Sequence, residues 1–140
     1  MKLIARTLAI VLGCCTAQLA AAQTYPDRRI TFVVPYAAGG AGDASARMLA
    51  NKLSEAWGQP VVVENKPGGG GVVGNDYVAK APADGYTMLL GTTQIIQAPA
   101  LIKELPYDVF RELTPVSQIA LSSIVLVVPA QQPYKSVKDL

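Results

Sequence analysis

Residues 30–43 read ITFVVPYAAGGAGD, and the change of residue type within them indicates how the chain folds. The stretch begins with a short, nearly continuous apolar run from Ile30 to Val34, whose β-branched residues are typical of a strand buried on both faces. Pro35 ends that run, and the small residues of 37–42 follow. The apolar residues then recur at the spacing of a helix, at Ala46, Leu49, Ala50, Leu53 and Trp57. The sequence therefore predicts a strand, a loop and a helix in succession.

The predicted helix has a candidate capping residue at each end. Asp43 is expected to be the N-cap, because an aspartate side chain accepts hydrogen bonds from the unpaired amides of a first turn. Gly58 is expected to end the helix, because glycine readily adopts the left-handed conformation that follows many last turns. The large apolar residues between them, Leu49, Leu53 and Trp57, are interpreted as core.

The same alternation is repeated twice along the chain. Residues 61–63 and 87–90 are predicted to be the second and third strands. A helix is predicted over residues 72–80, and another from Thr92 and Thr93, as capping residues, to about residue 103. The order β-α-β-α-β-α with apolar strands predicts an α/β fold with a doubly wound, mostly parallel sheet. Right-handed crossovers would place helices on both faces of that sheet.

The alternation stops after Pro106. Residues 113–120 and 124–128 are expected to be extended, and Ser136 with Asp139 three positions later has the pattern of a capping box at the start of a helix. A first helical turn is not stable by itself, because nucleation is costly. The chain is therefore expected to be a truncated piece of a longer protein.

The amino terminus has the pattern of a secretory signal peptide over residues 1–22. Lys2 and Arg6 precede an uncharged apolar run, and three alanines at 20–22 form an A-x-A cleavage site. The run is too short to span a bilayer, which needs about 20 residues. An alternative is a lipobox that ends at Cys14, but Leu12 is large for that motif. The sequence predicts export to the periplasm with cleavage before Gln23.

Composition excludes several classes of site. The chain has no histidine, and its 2 cysteines, Cys14 and Cys15, lie within the predicted signal peptide. Ser-His-Asp and Cys-His catalysis and the usual zinc ligand sets are therefore excluded, and no metal or cofactor is expected. Of 12 basic and 10 acidic residues, Lys2 and Arg6 would leave with the signal peptide, so the mature charges balance. No basic cluster indicates nucleic-acid binding.

A glycine-rich stretch at residues 69–74 satisfies the G-x-G-x-x-G pattern of dinucleotide-binding proteins. A nucleotide-dependent enzyme that uses this loop is therefore an alternative function. Two features weigh against it: four residues, Asn65 to Gly68, separate the strand from the motif, and the next strand leads to Gly91 rather than to an acidic residue.

Three loops leave the carboxyl ends of the predicted parallel strands, at residues 36–43, 65–71 and 91–94. In an open α/β sheet these ends converge on one crevice. Helix amino termini there present free amides and a partial positive charge, which together can hold a small anion. The alternative interpretation is that the glycines serve only to form turns.

Seven short motifs in order resemble the tripartite tricarboxylate transporter receptors, also called Bug receptors. The resemblance extends from about Tyr25 to Leu140, with Arg29 standing where the family usually has proline and Gly69-Gly70 where it usually has alanine-glycine. The motifs are YPDR at 25–28, VVPYAAGG at 33–40, Asp43 with Ala46-Arg47, VVENKPG at 62–68, DGYT at 84–87, LPYD at 105–108 and LVVP at 126–129.

The resemblance implies a periplasmic binding protein of type II, in which two α/β lobes close on a ligand like a flytrap. Residues 23–122 would form most of the first lobe, and 123–140 the crossover and the start of the second. The implied ligand is a small carboxylate, delivered to membrane transporter subunits or to a signalling partner by a receptor that is monomeric when full length. The family's binding positions correspond here to Tyr36, Ala38, Gly39, Gly40, Asp43, Gly70, Gly71, Thr92 and Thr93.

Overall fold

The computed structural model describes residues 25–123, 125–134 and 136–139. The predicted signal peptide, with its alternative lipid anchor at Cys14, lies outside the described residues. Three strands alternate with helices, as the sequence predicts. The strands are β1 (Ile30–Val34), β2 (Val61–Asn65) and β3 (Thr87–Leu89), and the helices are α1 (Ala41–Trp57), α2 (Val72–Ala79), α3 (Thr93–Leu101) and α4 (Val109–Glu112).

The strands form a parallel sheet in the order β2-β1-β3, so β1 lies at its centre. Ile30 is paired with Val61 at one edge of β1, and Thr31 with Thr87 at the other. Because all three strands run the same way, their carboxyl ends meet at one edge of the sheet. The predicted α/β fold with a parallel sheet is confirmed.

The two faces of β1 are covered by different helices. Ile30, Phe32 and Val34 belong to one core cluster with residues of α1, including Ala46 and Ala50. The opposite face carries Val33, which is also fully buried. On that side α2 lies so close that a Cβ atom added to Gly74 would be 2.7 Å from Pro35 Cβ. Helices on both faces are the doubly wound arrangement.

Of the two predicted ends of α1, the structure confirms only the carboxyl-terminal one. Gly58 ends the helix in the left-handed conformation, with φ of 64°, and its amide donates to the Ser54 carbonyl. The prediction for Asp43 is wrong: Gly40 occupies the N-cap, and Asp43 lies in the first turn with its side chain buried. Ala41 and Gly42 are small enough to begin the helix earlier. Asp43 instead accepts the amide of Gly39, just before the helix.

The cap of α3 also differs from expectation. Thr92 occupies the N-cap, but its side chain makes no capping hydrogen bond. Its hydroxyl lies instead 2.6 Å from the Tyr36 hydroxyl, a tertiary contact that the local pattern could not reveal. The helix ends at Leu101, before the predicted end near residue 103, because Ile102 has an extended backbone.

The described residues after 112 have little regular structure. Neither predicted extended segment forms a strand over the described residues 113–123 and 125–128. The capping-box residues form a single 3₁₀ turn, Val137–Asp139, and the Asp139 carboxylate accepts the amide of Ser136 at 2.7 Å. Over the described residues, no helix has the length and apolar character needed to cross a membrane.

Candidate functional site

The three predicted loops meet at the carboxyl edge of the sheet, and one side chain connects them. The hydroxyl of Tyr36, in the first loop, lies 2.6 Å from Thr92 Oγ1 and 2.7 Å from Gln94 Oε1 in the third. A Cβ atom added to Gly71, in the second loop, would lie 3.6 Å from the same hydroxyl. The convergence that the parallel topology predicts is present.

The direction of these hydrogen bonds follows from their chemistry. The Gln94 amide oxygen only accepts, so the single proton of the Tyr36 hydroxyl is donated to it. The Thr92 hydroxyl must then donate to Tyr36 rather than accept from it. The Thr92 proton is therefore used in this contact, and the Gln94 amide nitrogen has no acceptor among the described residues.

A second network of hydrogen bonds surrounds the buried Asp43 carboxylate and holds the first loop. Its Oδ2 accepts the Gly39 amide at 2.9 Å and Arg47 Nε at 3.0 Å. Its Oδ1 accepts Asn65 Nδ2 at 2.9 Å, and the same nitrogen is 3.1 Å from the Tyr36 carbonyl oxygen. Arg47 reaches further and donates to Asn65 Oδ1 at 3.0 Å. Both oxygens of the carboxylate are therefore satisfied.

These donors lower the pKa of Asp43 to about 2 from its ordinary value of 3.8. The hydrogen bond from Arg47 is the largest cause, followed by those from Gly39 and Asn65. Asp43 is thus charged at neutral pH, beside loops that could receive an anion. The adjacent Arg47 compensates that charge, and the hydrogen bond from the Gly39 amide ties the carboxylate to the loop.

Amides at the start of α1 are free donors at the crevice. The first four amides of a helix have no partner within it. Here Ala44 donates to the Gly40 carbonyl, whereas Ala41 and Gly42 have no acceptor among the described residues. Together with the positive end of the helix dipole, they favour an anion at this position.

Glycines in and next to the loops are of two kinds. Gly71, at the end of the second loop, and Gly74, in α2, are buried, and added Cβ atoms would meet Pro35 and its neighbours. Gly39, Gly70 and Gly71 have positive φ, which the interpretation of the glycines as turn formers explains. At Gly39 and Gly70 an added Cβ atom would also meet nothing within 4 Å, so there is open space beside the backbone there.

The structure brings some of the predicted site residues together and leaves others apart. Tyr36 with Thr92, and Gly39 with Asp43, are joined by hydrogen bonds. Gly71 packs against the Tyr36 ring. Gly40, at the N-cap of α1, is exposed, and so is Gly70. Ala38 and Thr93 are also exposed and make no hydrogen bond to another loop among the described residues.

Lys66 follows β2 directly but is occupied elsewhere. Its ammonium lies 4.0 Å from the centre of the Tyr77 ring and 3.7 Å from Glu64 Oε2. A cation held over an aromatic face on α2 and beside a carboxylate is not free to pair with an anion in the crevice.

Three residues of this region are absent from the predicted set: Arg47, Asn65 and Gln94. Their polar contacts join elements far apart in sequence, so helix and strand periodicity does not reveal them. Asn65 gives one available signal, because it is the last residue of β2 and thus a polar side chain at the ligand-facing edge of a parallel sheet.

Two other features of the described residues do not contribute to this site. Over these residues there is no group of three or more acidic or cysteine side chains that could hold a metal ion. A groove of about 380 Å³ lies between α3 and α4, lined by residues that include Pro99, Ile102 and Phe110. None of its lining residues comes from the three loops.

Comparison with known proteins gives one family. The profile of the tripartite tricarboxylate transporter family receptors matches residues 45–140. The protein BugT of Bordetella pertussis is 44% identical over 128 residues, which are 87% of this chain and 39% of BugT. The chain thus spans about two fifths of the length of that curated relative.

Solved structures give the same result. MatC (Rpa3494) from Rhodopseudomonas palustris, with bound malate, is 38% identical with a TM-score of 0.62, over 66% of this chain and 32% of that one. Rpa4515 of R. palustris, with adipate, is 44% identical with a TM-score of 0.57, over 60% of this chain and 28% of that one. These matches are to receptors, so they do not support the nucleotide-dependent enzyme that the glycine pattern suggested.

Proposed function

Since the chain belongs to the tripartite tricarboxylate transporter receptor family, we propose that the whole receptor captures a small carboxylate at the crevice above its parallel sheet. The observation that carries the proposal is the meeting of three loops through Tyr36, beside unpartnered amides of α1. Malate and adipate, bound by two similar receptors, are ligands of the same chemical class.

The proposed mechanism is recognition by backbone rather than by a cationic side chain. Amides at the start of α1 would donate to one carboxylate group, and Gly39, Gly40 and Gly70 would let it approach the main chain closely. Hydrogen bonds to a charged acceptor contribute about 1.5–3 kcal/mol each. A small carboxylate therefore needs only a few such hydrogen bonds to bind the receptor. Gln94 Nε2 is placed to donate from the third loop.

The setting of this function is also proposed. The predicted signal peptide and the family support a periplasmic receptor, and we expect it to be monomeric when full length. It would pass its ligand to membrane transporter subunits or to a signalling partner. Residues 23–122 would form most of the first lobe, with 123–140 as the crossover and start of the second lobe.

The test is calorimetric titration of the whole receptor with malate and with adipate, using variants at Gly40 and Lys66. An added Cβ at Gly40 has its nearest neighbour, the Ala37 carbonyl oxygen, at 3.9 Å, so a side chain can begin at this position without a clash of its first atom. Valine there would occupy the space beside the amides and weaken binding by about 2 kcal/mol or more. Lys66→Ala would cost under about 1 kcal/mol, because its ammonium is held by Glu64 and Tyr77.

Lys52→Ala is the matched control for the lysine, because it removes the same charge from an exposed position of α1. Binding that survives Gly40→Val and is abolished by Lys66→Ala would replace the backbone mechanism with a side-chain ion pair. If the wild-type receptor binds neither acid nor any other small carboxylate, the proposed function is wrong.

A further inference from the structure

Both polar atoms of the Asn65 side chain make hydrogen bonds around the first loop. It has two N–H donors and one carbonyl oxygen for hydrogen bonding. The donors lie 2.9 Å from Asp43 Oδ1 and 3.1 Å from the Tyr36 carbonyl oxygen, and the oxygen accepts from Arg47 at 3.0 Å. Asn65 thereby contacts the first loop at its beginning and at the first turn of the helix that follows.

Asn65 itself is held by a rigid element. It ends β2 and is paired in register with Val34 of β1, and the next amide, that of Lys66, donates to the Val34 carbonyl at 2.8 Å. The loop, by contrast, has no strand or helix of its own between Tyr36 and Gly40. A side chain on a fixed strand thus gives this loop a tertiary link, beside the contacts of the Tyr36 hydroxyl with Thr92 and Gln94.

We propose that Asn65 is a positioning residue for ligand binding, which holds the first loop so that its amides face the carboxylate. This inference rests on the proposed carboxylate function. Asn65 acts through Asp43, which holds the Gly39 amide, and through the Tyr36 carbonyl. It has no assigned contact with the ligand.

This role requires the side-chain amide of asparagine, because it supplies N–H donors as well as an acceptor. Aspartate at position 65 would have the same shape and could still accept from Arg47 with one oxygen. The oxygen that replaces Nδ2 would face Asp43 Oδ1 and the Tyr36 carbonyl without a proton. Asp43 and Arg47 are the charged side chains in hydrogen-bond contact with Asn65. The neighbouring Glu64 is paired with Arg29 and Lys66, so it adds no direct contact.

The experiment measures malate and adipate affinity of the whole receptor with Asn65→Asp and Asn65→Ser, at pH 7.5 and pH 4.5. We expect Asn65→Asp to bind at least 10-fold more weakly than wild type at pH 7.5. The ratio to wild type should shrink at pH 4.5, because two adjacent carboxylates share a proton that restores one donor. Comparison as a ratio removes the titration of the ligand itself.

Two further variants make the result specific. Asn65→Ser keeps one donor and should lose less affinity than Asn65→Asp at pH 7.5; if Asn65→Asp does not fold, this variant decides, with a loss of at least 3-fold expected. Asn51→Asp makes the same substitution on an exposed part of α1 and should leave affinity within 2-fold of wild type.

The outcomes separate the inference from the function on which it rests. Wild-type binding with variants that lose thermal stability but keep their affinity would show a merely structural role and overturn the inference. A loss in Asn65→Asp that is the same at both pH values would do so too, because it would not come from the missing proton. A wild-type receptor that binds no carboxylate overturns the proposed function and the inference with it.

Discussion

Two apolar runs of this chain have similar composition and opposite surroundings. In β1, Ile30, Val33 and Val34 are fully buried, and Phe32 is 3% exposed. In residues 125–128, which read VLVV, the side chains are 40–78% exposed. Both runs are rich in β-branched residues, and each is followed by proline. Strand propensity therefore does not explain the difference.

Neighbouring strands and helices explain the difference in burial. β1 has a strand on each side, α1 on one face and α2 on the other, whereas the described residues of 125–128 belong to no sheet. Burial of a valine or isoleucine side chain contributes about 1.5–3 kcal/mol, but only when other apolar atoms cover it. The comparison teaches that the same local preference becomes a strand only where the topology supplies a partner.

The largest expected effect is at Gly74, which allows α2 to approach the sheet. Gly74→Val should destabilise the receptor by about 3 kcal/mol or more, because an added Cβ atom would lie 2.7 Å and 2.8 Å from Pro35 atoms and 2.9 Å from the Lys66 carbonyl. The loss of stability is measured by urea unfolding. Gly91→Ala is the control, since its Cβ atom would have Ile95 Cγ2 at 4.0 Å as its nearest neighbour. Equal midpoints for both variants would mean that α2 is not held this closely.

A matched pair of valines tests the two runs directly. Val33→Ala should cost about 2 kcal/mol, because Val33 is fully buried. Val127→Ala should cost under about 0.5 kcal/mol, because Val127 is 78% exposed. Both are read from urea unfolding of the whole receptor. A loss of stability in Val127→Ala close to that in Val33→Ala would contradict the comparison, because it would mean that another part of the receptor covers residues 125–128.

A further prediction concerns how stability depends on pH through the Asp43 carboxylate, which stays charged at neutral pH. Its folded-state pKa of about 2 lies below the ordinary 3.8, so its contribution to stability is present above about pH 4 and is lost as the pH falls toward 2. The difference in unfolding midpoint between wild type and Asp43→Asn should therefore be constant from pH 7 to 5 and shrink below pH 4. A carbon NMR titration of Asp43 with a midpoint near 4 would contradict this network.

Much of the architecture of the described residues is predictable from local pattern. The apolar run from Ile30 to Val34, the helical spacing that follows and the stop at Gly58 each depend on a few neighbouring residues, and the structure agrees with all three. Asp43 was misplaced as a cap, because Ala41 and Gly42 also tolerate helical conformation and the helix begins there. The short helix α4, capped by Asp108, was not predicted, since four residues carry too little periodicity.

The α/β class, the turns at glycine and the absence of histidine-based chemistry can be predicted from the sequence, because they depend on residue type and on neighbours along the chain. Which polar groups meet depends instead on the tertiary structure. Tyr36 and Thr92 are 56 residues apart in sequence, and Asp43 and Asn65 are 22 apart. Their contacts require the register of β1 with both neighbouring strands, which is set by packing of the whole sheet rather than by any local preference.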